Sequence, residues 1–353
     1  MRLAAAGKAF LAGEYAVLEP GGAALVVGVD RFLHASIRTL AGKEVEIVHR
    51  PSGAFVAGEL TSDGIQWRGG IAAEVRFAAR AVDLAVRSCA LEGRPFRGFS
   101  LVYENEFAHE GKKIGLGGSA AASVLAVRGA CAAQERELSG EETVTLAAAA
   151  HWKEQGGRGS GADVAACALG GLLEVTVRGA PVDDPRELLR SPPLAVRRLP
   201  LPSDLRLLLA FTGAPADSRA LVASVLAFAR ANPSRFRARC DAISAERKAL
   251  CEALEAAARS DSPSPRDAAL DAVRRGAAAM AALGEEANVA IATPELARAC
   301  AIAAAAGAAA KPSGAGGGDC AIVLAFQDDV LERVAREVQA AGLSPLRIAP
   351  ALP

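Results

Sequence analysis

Aromatic side chains are scarce in this chain, at 4% of 353 residues against 51% hydrophobic residues overall. Its core must therefore be packed from Ala, Leu and Val with many close helix contacts, the composition of a globular protein. No charge of one sign dominates: Lys plus Arg and Asp plus Glu balance at 40 each. That balance excludes the global basic field that draws a protein to nucleic acid or anionic lipid, so any anion binding has to be local. The seven cysteines are widely spaced and lack both a C-x-x-C pair and a histidine cluster. They read as reduced, mostly buried thiols of a cytoplasmic protein, neither a disulfide framework nor a zinc site. Lys8 and Glu14 interrupt the apolar start of the chain before it reaches export length, and no segment attains the ~18 uninterrupted apolar residues of a membrane span. Internal repeats are lacking too. No loop matches G-x-x-x-x-G-K-S/T or G-x-G-x-x-G, which removes a Walker-type P-loop and a Rossmann dinucleotide site.

What is there is glycine in particular places. Residues 114–124, Ile-Gly-Leu-Gly-Gly-Ser-Ala-Ala-Ala-Ser-Val, pass from glycines straight into an alanine-rich helix. Free N–H groups and the positive end of the dipole at such a junction suit phosphate, and glycine permits both unusual φ/ψ angles and close approach by an anion. Gly115, Leu116, Gly117, Gly118, Ser119 and Ala120 are thus candidate phosphate-binding residues, with the Ser119 hydroxyl available as a Mg²⁺ ligand or an extra donor. Three further segments set glycine beside polar groups. In residues 7–15, Lys8 and Glu14 lie an even number apart on an apolar strand and are expected to share a face. In residues 156–166, Asp163 opens an apolar helix after a flexible loop that includes Ser160 and Gly161, where it serves as a capping carboxylate or as a catalyst. Residues 311–320 place Gly314, Gly316, Gly317 and Gly318 ahead of Asp319 and a strand, more glycine than a structural turn needs.

At about 150 residues per domain the length predicts two domains. Strands are expected at 25–29 and 33–37, separated by a turn at Asp30-Arg31, and at 45–48 and Phe99–Tyr103. Helices are expected at 71–91, 119–136 and 141–153. Six prolines in residues 179–204 mark a boundary, giving domains 1–190 and 191–353. Beyond it the periodicity predicts a strand at 205–211 and helices at 216–231, 238–258 and 263–283. A helix at 294–309 follows, capped by Thr293 with Pro294 at its first position, then a strand at 320–326, a helix at 328–341 and a strand at 346–348.

In order and spacing, residues 7–19, 112–122 and 311–320 resemble the three signature motifs of the GHMP small-molecule kinases, the superfamily of galactokinase, homoserine kinase and mevalonate kinase. The segments 159–166, 211–218, 293–296 and the Gly-Gly-Gly-Asp-Cys ending at Cys320 resemble, more narrowly, its phosphomevalonate kinase branch. The resemblance implies a two-domain α/β (α+β) fold. Its N-terminal half, like a ribosomal-protein domain, carries the ATP loop, its C-terminal half is ferredoxin-like, and the active site lies in the cleft. It implies ATP and Mg²⁺ as cofactors, and transfer of the γ-phosphoryl group to the small-molecule substrate 5-phosphomevalonate by a monomer or homodimer.

By the same resemblance, Lys8 and Asp163 are catalytic. Lys112 and residues 115–120 bind ATP, with Ser119 on the metal. Glu14, Tyr15, Ser160, Gly161, Ser218, Arg219, Gly316, Gly317, Gly318 and Asp319 bind substrate. The chain departs from the family pattern at Gly118, where a serine is usual, and at Ala292 and Phe211; Glu154 is a nearby acid without a clear counterpart. Because a phosphate acceptor is mostly deprotonated at neutral pH, its second pKa lying near ~6, a strong base matters less than charge neutralisation. Asp163 is then expected to orient Lys8 and the acceptor, while Lys8, Lys112, Lys113 or Arg219 offset the repulsion between two anions. A mevalonate kinase, a diphosphomevalonate decarboxylase and a non-catalytic metabolite-binding relative are the competing readings.

Overall fold

A computed structural model describes residues 1–94, 96–214 and 216–352; Pro215, within the segment 211–218, lies outside them. The first half builds one mixed sheet from β1 (Arg2–Ala12), β2 (Ala23–Thr39), β3 (Glu44–His49), β4 (Ala54–Thr61) and β5 (Gly64–Arg68). After α1 (Arg76–Ala90), β6 (Phe99–Tyr103) joins the same sheet, and β7 (Ala108–His109) and β8 (Lys112–Lys113) form a small hairpin. Then come α2 (Gly118–Ala133), α3 (Gly140–Glu154), α4 (Ala162–Leu169), β9 (Leu172–Val177), α5 (Pro185–Arg190) and β10 (Leu194–Leu199). Strand order is β10-β9-β2-β6-β3-β4-β5, with β1 on the other edge of β2.

The long β2 corrects the expected turn at Asp30-Arg31. Pairing with β1 steps from Ala6↔Phe32 to Gly7↔Val29, so those two residues are the excess of a bulge inside one continuous strand. Asp30 is not idle there, since its N–H donates to the Ala349 carbonyl and its carboxylate accepts from the Ala349 N–H, both at 2.9 Å. The α1 periodicity begins five residues later than expected, at Arg76.

The proline-dense stretch also departs from expectation. Asp184 caps α5 by accepting from the Arg186 N–H at 2.7 Å, with Pro185 at the first helical position, and β10 pairs with β9 from Leu194↔Val177 to Leu199↔Leu172. Proline restricts φ without forbidding an edge strand. Strand β10, which lies beyond 190/191, thus pairs into the sheet of the first half.

The second half contains β11 (Arg206–Phe211), α6 (Ser218–Ala231), α7 (Pro233–Ala257), α8 (Pro263–Ala287), α9 (Pro294–Ala305), β12 (Ala309–Pro312), β13 (Cys320–Ala325), α10 (Asp328–Ala340) and β14 (Ser344–Ile348). Its sheet, ordered β12-β13-β11-β14, is antiparallel throughout. The helix expected at 294–309 stops short. Gly307, at φ 91°, ends it, and the Gly307 and Ala308 N–H groups return to the Ala304 and Ala303 carbonyls, freeing Ala309–Pro312 to pair with β13.

Helices α2 and α4 pack on β1 and β2 through small residues; Ala120, Ala121, Ala165 and Ala166 are fully buried. One apolar cluster runs without a break from Ala5 through Leu125 and Leu254 to Ile348, so both halves share a core. All seven cysteines are free thiols, and no described helix is long and apolar enough to cross a membrane.

Candidate active site

Lys8 lies on β1 where the strand passes under the glycine loop. Its N–H donates to the Leu116 carbonyl at 3.0 Å and its Nζ to the Gly115 carbonyl at 2.6 Å, so the loop is stitched to the strand twice. Gly117 caps α2 at φ 81°, and a Cβ there would meet the Lys8 side chain at 2.8 Å; only glycine permits both this conformation and this approach. Gly118 is exposed at the start of α2, Ser119 is half-buried and Ala120 fully buried. Free N–H groups and the dipole of a sixteen-residue helix thus converge beside a half-buried ammonium.

Asp319 reaches the same place from the other half. The carboxylate Oδ2 stands 2.6 Å from where a Gly115 Cβ would be, and Oδ1 accepts from the Ala216 N–H at 3.2 Å. Burial pushes its pKa up, opposed by that N–H and by Lys8. Gly316 at φ 77° lies under the Ile291 carbonyl, which a Cβ would meet at 2.2 Å, and Gly317 and Gly318 continue the left-handed run that delivers Asp319.

Asp163 is not a cap. Gly161, in the left-handed conformation, precedes α4, and the half-buried Asp163 accepts only its neighbour's Val164 N–H, at 2.9 Å. It shares its surroundings with Lys8, since both act electrostatically on Cys167, but no ion pair joins them within 4.0 Å. The direct orientation of Lys8 by Asp163 is thus corrected: the lysine is held by the Gly115 carbonyl.

Glu14 and Tyr15 correct the sequence reading more sharply. Strand β1 ends at Ala12, and Gly13 at φ 91° turns the chain, so Glu14 does not share a face with Lys8. Glu14 is buried in an ion pair with Lys311, itself fully buried, and its Oε1 also accepts from the Gly314 N–H at 3.3 Å. The Tyr15 hydroxyl donates to the Ala315 carbonyl at 2.6 Å. Ser313 completes the seam, its Oγ accepting from the Phe10 N–H at 3.0 Å. Both side chains are buried and hold the third glycine loop in place.

The remaining expected residues are dispersed. Lys112 projects from the β7–β8 hairpin with its Nζ near Gly213, across the mouth of the cleft. Ser218 and Arg219 are exposed in the first turn of α6, whose cap is Asp217. Ser160 is half-buried and its Oγ accepts from the Ala162 N–H at 3.3 Å. Glu154 is paired with Arg76 at 3.2 Å and Arg80 at 3.7 Å.

Two cavities flank this centre. One, of about 280 Å³, runs from Gly118 and Ser119 to a wall that includes His49, Phe77, Tyr103 and Phe107. The other, of about 260 Å³, is lined by Ser160, Gly161 and Trp152 with Arg158 and Arg178. Sequence reasoning missed one member of the site, His151. Fully buried on α3, its Nε2 lies 3.0 Å from the Ser119 Oγ, and its ring packs on Phe77 with centroids 4.9 Å apart. Burial lowers its pKa, opposed by Asp163.

A glycine-led helix start with free N–H groups, an ammonium beneath it and the third glycine loop reaching in from the other half are the parts of a small-molecule kinase of the GHMP type. The profile described as GHMP kinases N terminal domain matches residues 76–171, and that described as GHMP kinases C terminal matches residues 266–343. A curated phosphomevalonate kinase from Streptomyces sp. (strain CL190) is 32% identical, covering 99% of this chain and 96% of its own. The chain belongs to the phosphomevalonate kinase family of GHMP kinases. Among solved structures, a protein from Listeria innocua superposes with a TM-score of 0.87 at 24% identity, covering 99% of this chain and 98% of that one. The Streptococcus pneumoniae phosphomevalonate kinase in complex with phosphomevalonate and AMPPNP has a TM-score of 0.82 at 23% identity, covering 99% and 100%.

Proposed function

We propose that this chain transfers the γ-phosphoryl group of ATP to the phosphate of (R)-5-phosphomevalonate, giving 5-diphosphomevalonate and ADP, in the cytoplasm. Membership of the family, through a relative matched along nearly the whole of both chains, carries the reading. The two cavities support it. The aromatic-walled one, opening beside the start of α2, suits a base with its phosphates on the glycine loop; the one with Arg158 and Arg178 suits a small anion.

Mg²⁺ fits the residues present. No cluster of three or more His, Cys, Asp or Glu that could hold a metal is gathered among the described residues, and an ion that keeps its waters and rides on phosphates needs only one or two protein oxygens. The Ser119 hydroxyl and the free oxygen of Asp163 would hold it, and it would neutralise charge on the phosphates when bound.

The chain's own part is alignment and charge. Lys8 leaves the Gly115 carbonyl for the phosphates that arrive over it, while the α2 N–H groups take their oxygens. Arg158 and Arg178 hold the acceptor, whose attacking oxygen carries little proton at neutral pH, so Asp163 positions more than it abstracts. The test is ADP release with 5-phosphomevalonate and mevalonate offered in turn. Turnover confined to the phosphorylated acceptor is expected; turnover confined to mevalonate, or CO₂ release, would overturn the assignment.

A further inference from the structure

We propose that His151 is a positioning residue that fixes the Ser119 hydroxyl so that its lone pairs face the metal–phosphate site. The inference rests on the ATP- and Mg²⁺-dependent reading above. A serine hydroxyl rotates freely and serves a cation only when its hydrogen is taken up elsewhere. Here the Nε2 of His151 stands 3.0 Å from the Ser119 Oγ, and it is the one side-chain partner that oxygen has among the described residues.

The ring itself is held. It is 2% exposed, packs on Phe77 and has no carboxylate within 4.0 Å, so it has no competing ion pair to turn toward. An imidazole in these surroundings presents one acceptor and one donor nitrogen. With Nε2 as acceptor, the Ser119 O–H points into α3 and both oxygen lone pairs point outward at the start of α2. The absence of a second serine at Gly118 makes this orientation matter more, because no neighbouring hydroxyl can substitute.

The experiment is a titration of N-methylanthraniloyl-ATP into the full chain, in Mg²⁺ and in EDTA, for wild type, His151→Phe, Ser119→Ala and the double variant. Outer-shell partners of metal ligands typically contribute 10–100-fold to metal affinity; each single variant is therefore expected to lose about tenfold or more of the Mg²⁺-dependent gain in nucleotide affinity. The double variant should be no weaker than either single one, and the affinity of His151→Phe in EDTA should stay within about twofold of wild type. His151→Gln, which keeps an acceptor at similar reach and serves where the phenylalanine variant fails to fold, should recover most of the gain. Additive losses in the double variant, or an equal loss in EDTA, would overturn the assignment of His151. Wild-type protein that does not bind the nucleotide under either condition would remove the kinase reading itself.

Discussion

In the proposed reaction Lys8 and Asp163 divide the work at the residue scale. Lys8 is anchored at 2.6 Å to the carbonyl under the glycine loop, whereas Asp163 contacts only its own helix start. We expect Lys8→Met to lower kcat by about 10²–10³, the range for removing a preorganised charge partner of a transition state, and Asp163→Asn to lower it less. Steady-state kinetics on both variants checks the order, and a far larger loss for the aspartate would reverse it.

Asp319 tests the cost of placing charge there. Its pKa is raised, chiefly by burial, so the folded protein binds more protons than the unfolded chain through the acid range and stability falls as pH rises through that raised value. Asp319→Asn keeps the acceptor for the Ala216 N–H and suits the backbone at φ 49°. It should raise Tm at pH 7 while lowering activity, and the Tm difference should shrink in acid, where Asp319 is itself protonated. A Tm unchanged at both pH values would count against this.

At the scale of elements, the seam between β1 and the loop after β12 is the decisive contact. Removing one member of a buried pair strands the other, which costs roughly 3–5 kcal/mol; Lys311→Met should show that loss in urea unfolding. Adding Glu14→Gln should restore part of it, because no buried charge then lacks a partner. No recovery in the double variant would mean the pair is not coupled. Nothing in the local sequence announces this seam. Lys311 reads as an ordinary residue ahead of a glycine loop, and its partner lies 297 positions away.

His151 was hidden for the same reason: its helix was legible, with Ser139 and Glu142 forming the capping box, but its contact with Ser119 depends on how α2 and α3 pack. What could be read was local. The Phe99–Tyr103 strand stands where β-branched and aromatic alternation put it, and the start of α2 where glycine gives way to alanine. What failed was also local evidence overridden by partners. Asp30-Arg31 look like a turn until β1 pairs on both sides of them, and prolines 185 and 193 look like a linker until β9 recruits the strand that follows.

For the whole molecule, two sheets do not mean two folding units. The main apolar cluster takes residues from β1, α2, α7, β11 and β14 together. Calorimetry of the free protein should therefore show one unfolding transition with matching calorimetric and van't Hoff enthalpies; two resolved transitions would show the halves to be independent. Prolines accumulate in residues 179–204, but their density cannot show that Leu199 pairs into the first sheet or that the cores merge across the stretch.

The seam of Phe10, Glu14 and Tyr15 with residues 311–315 joins positions about 300 apart in the chain. During synthesis Phe10, Glu14 and Tyr15 therefore leave the ribosome about 300 residues ahead of the residues that come to hold them.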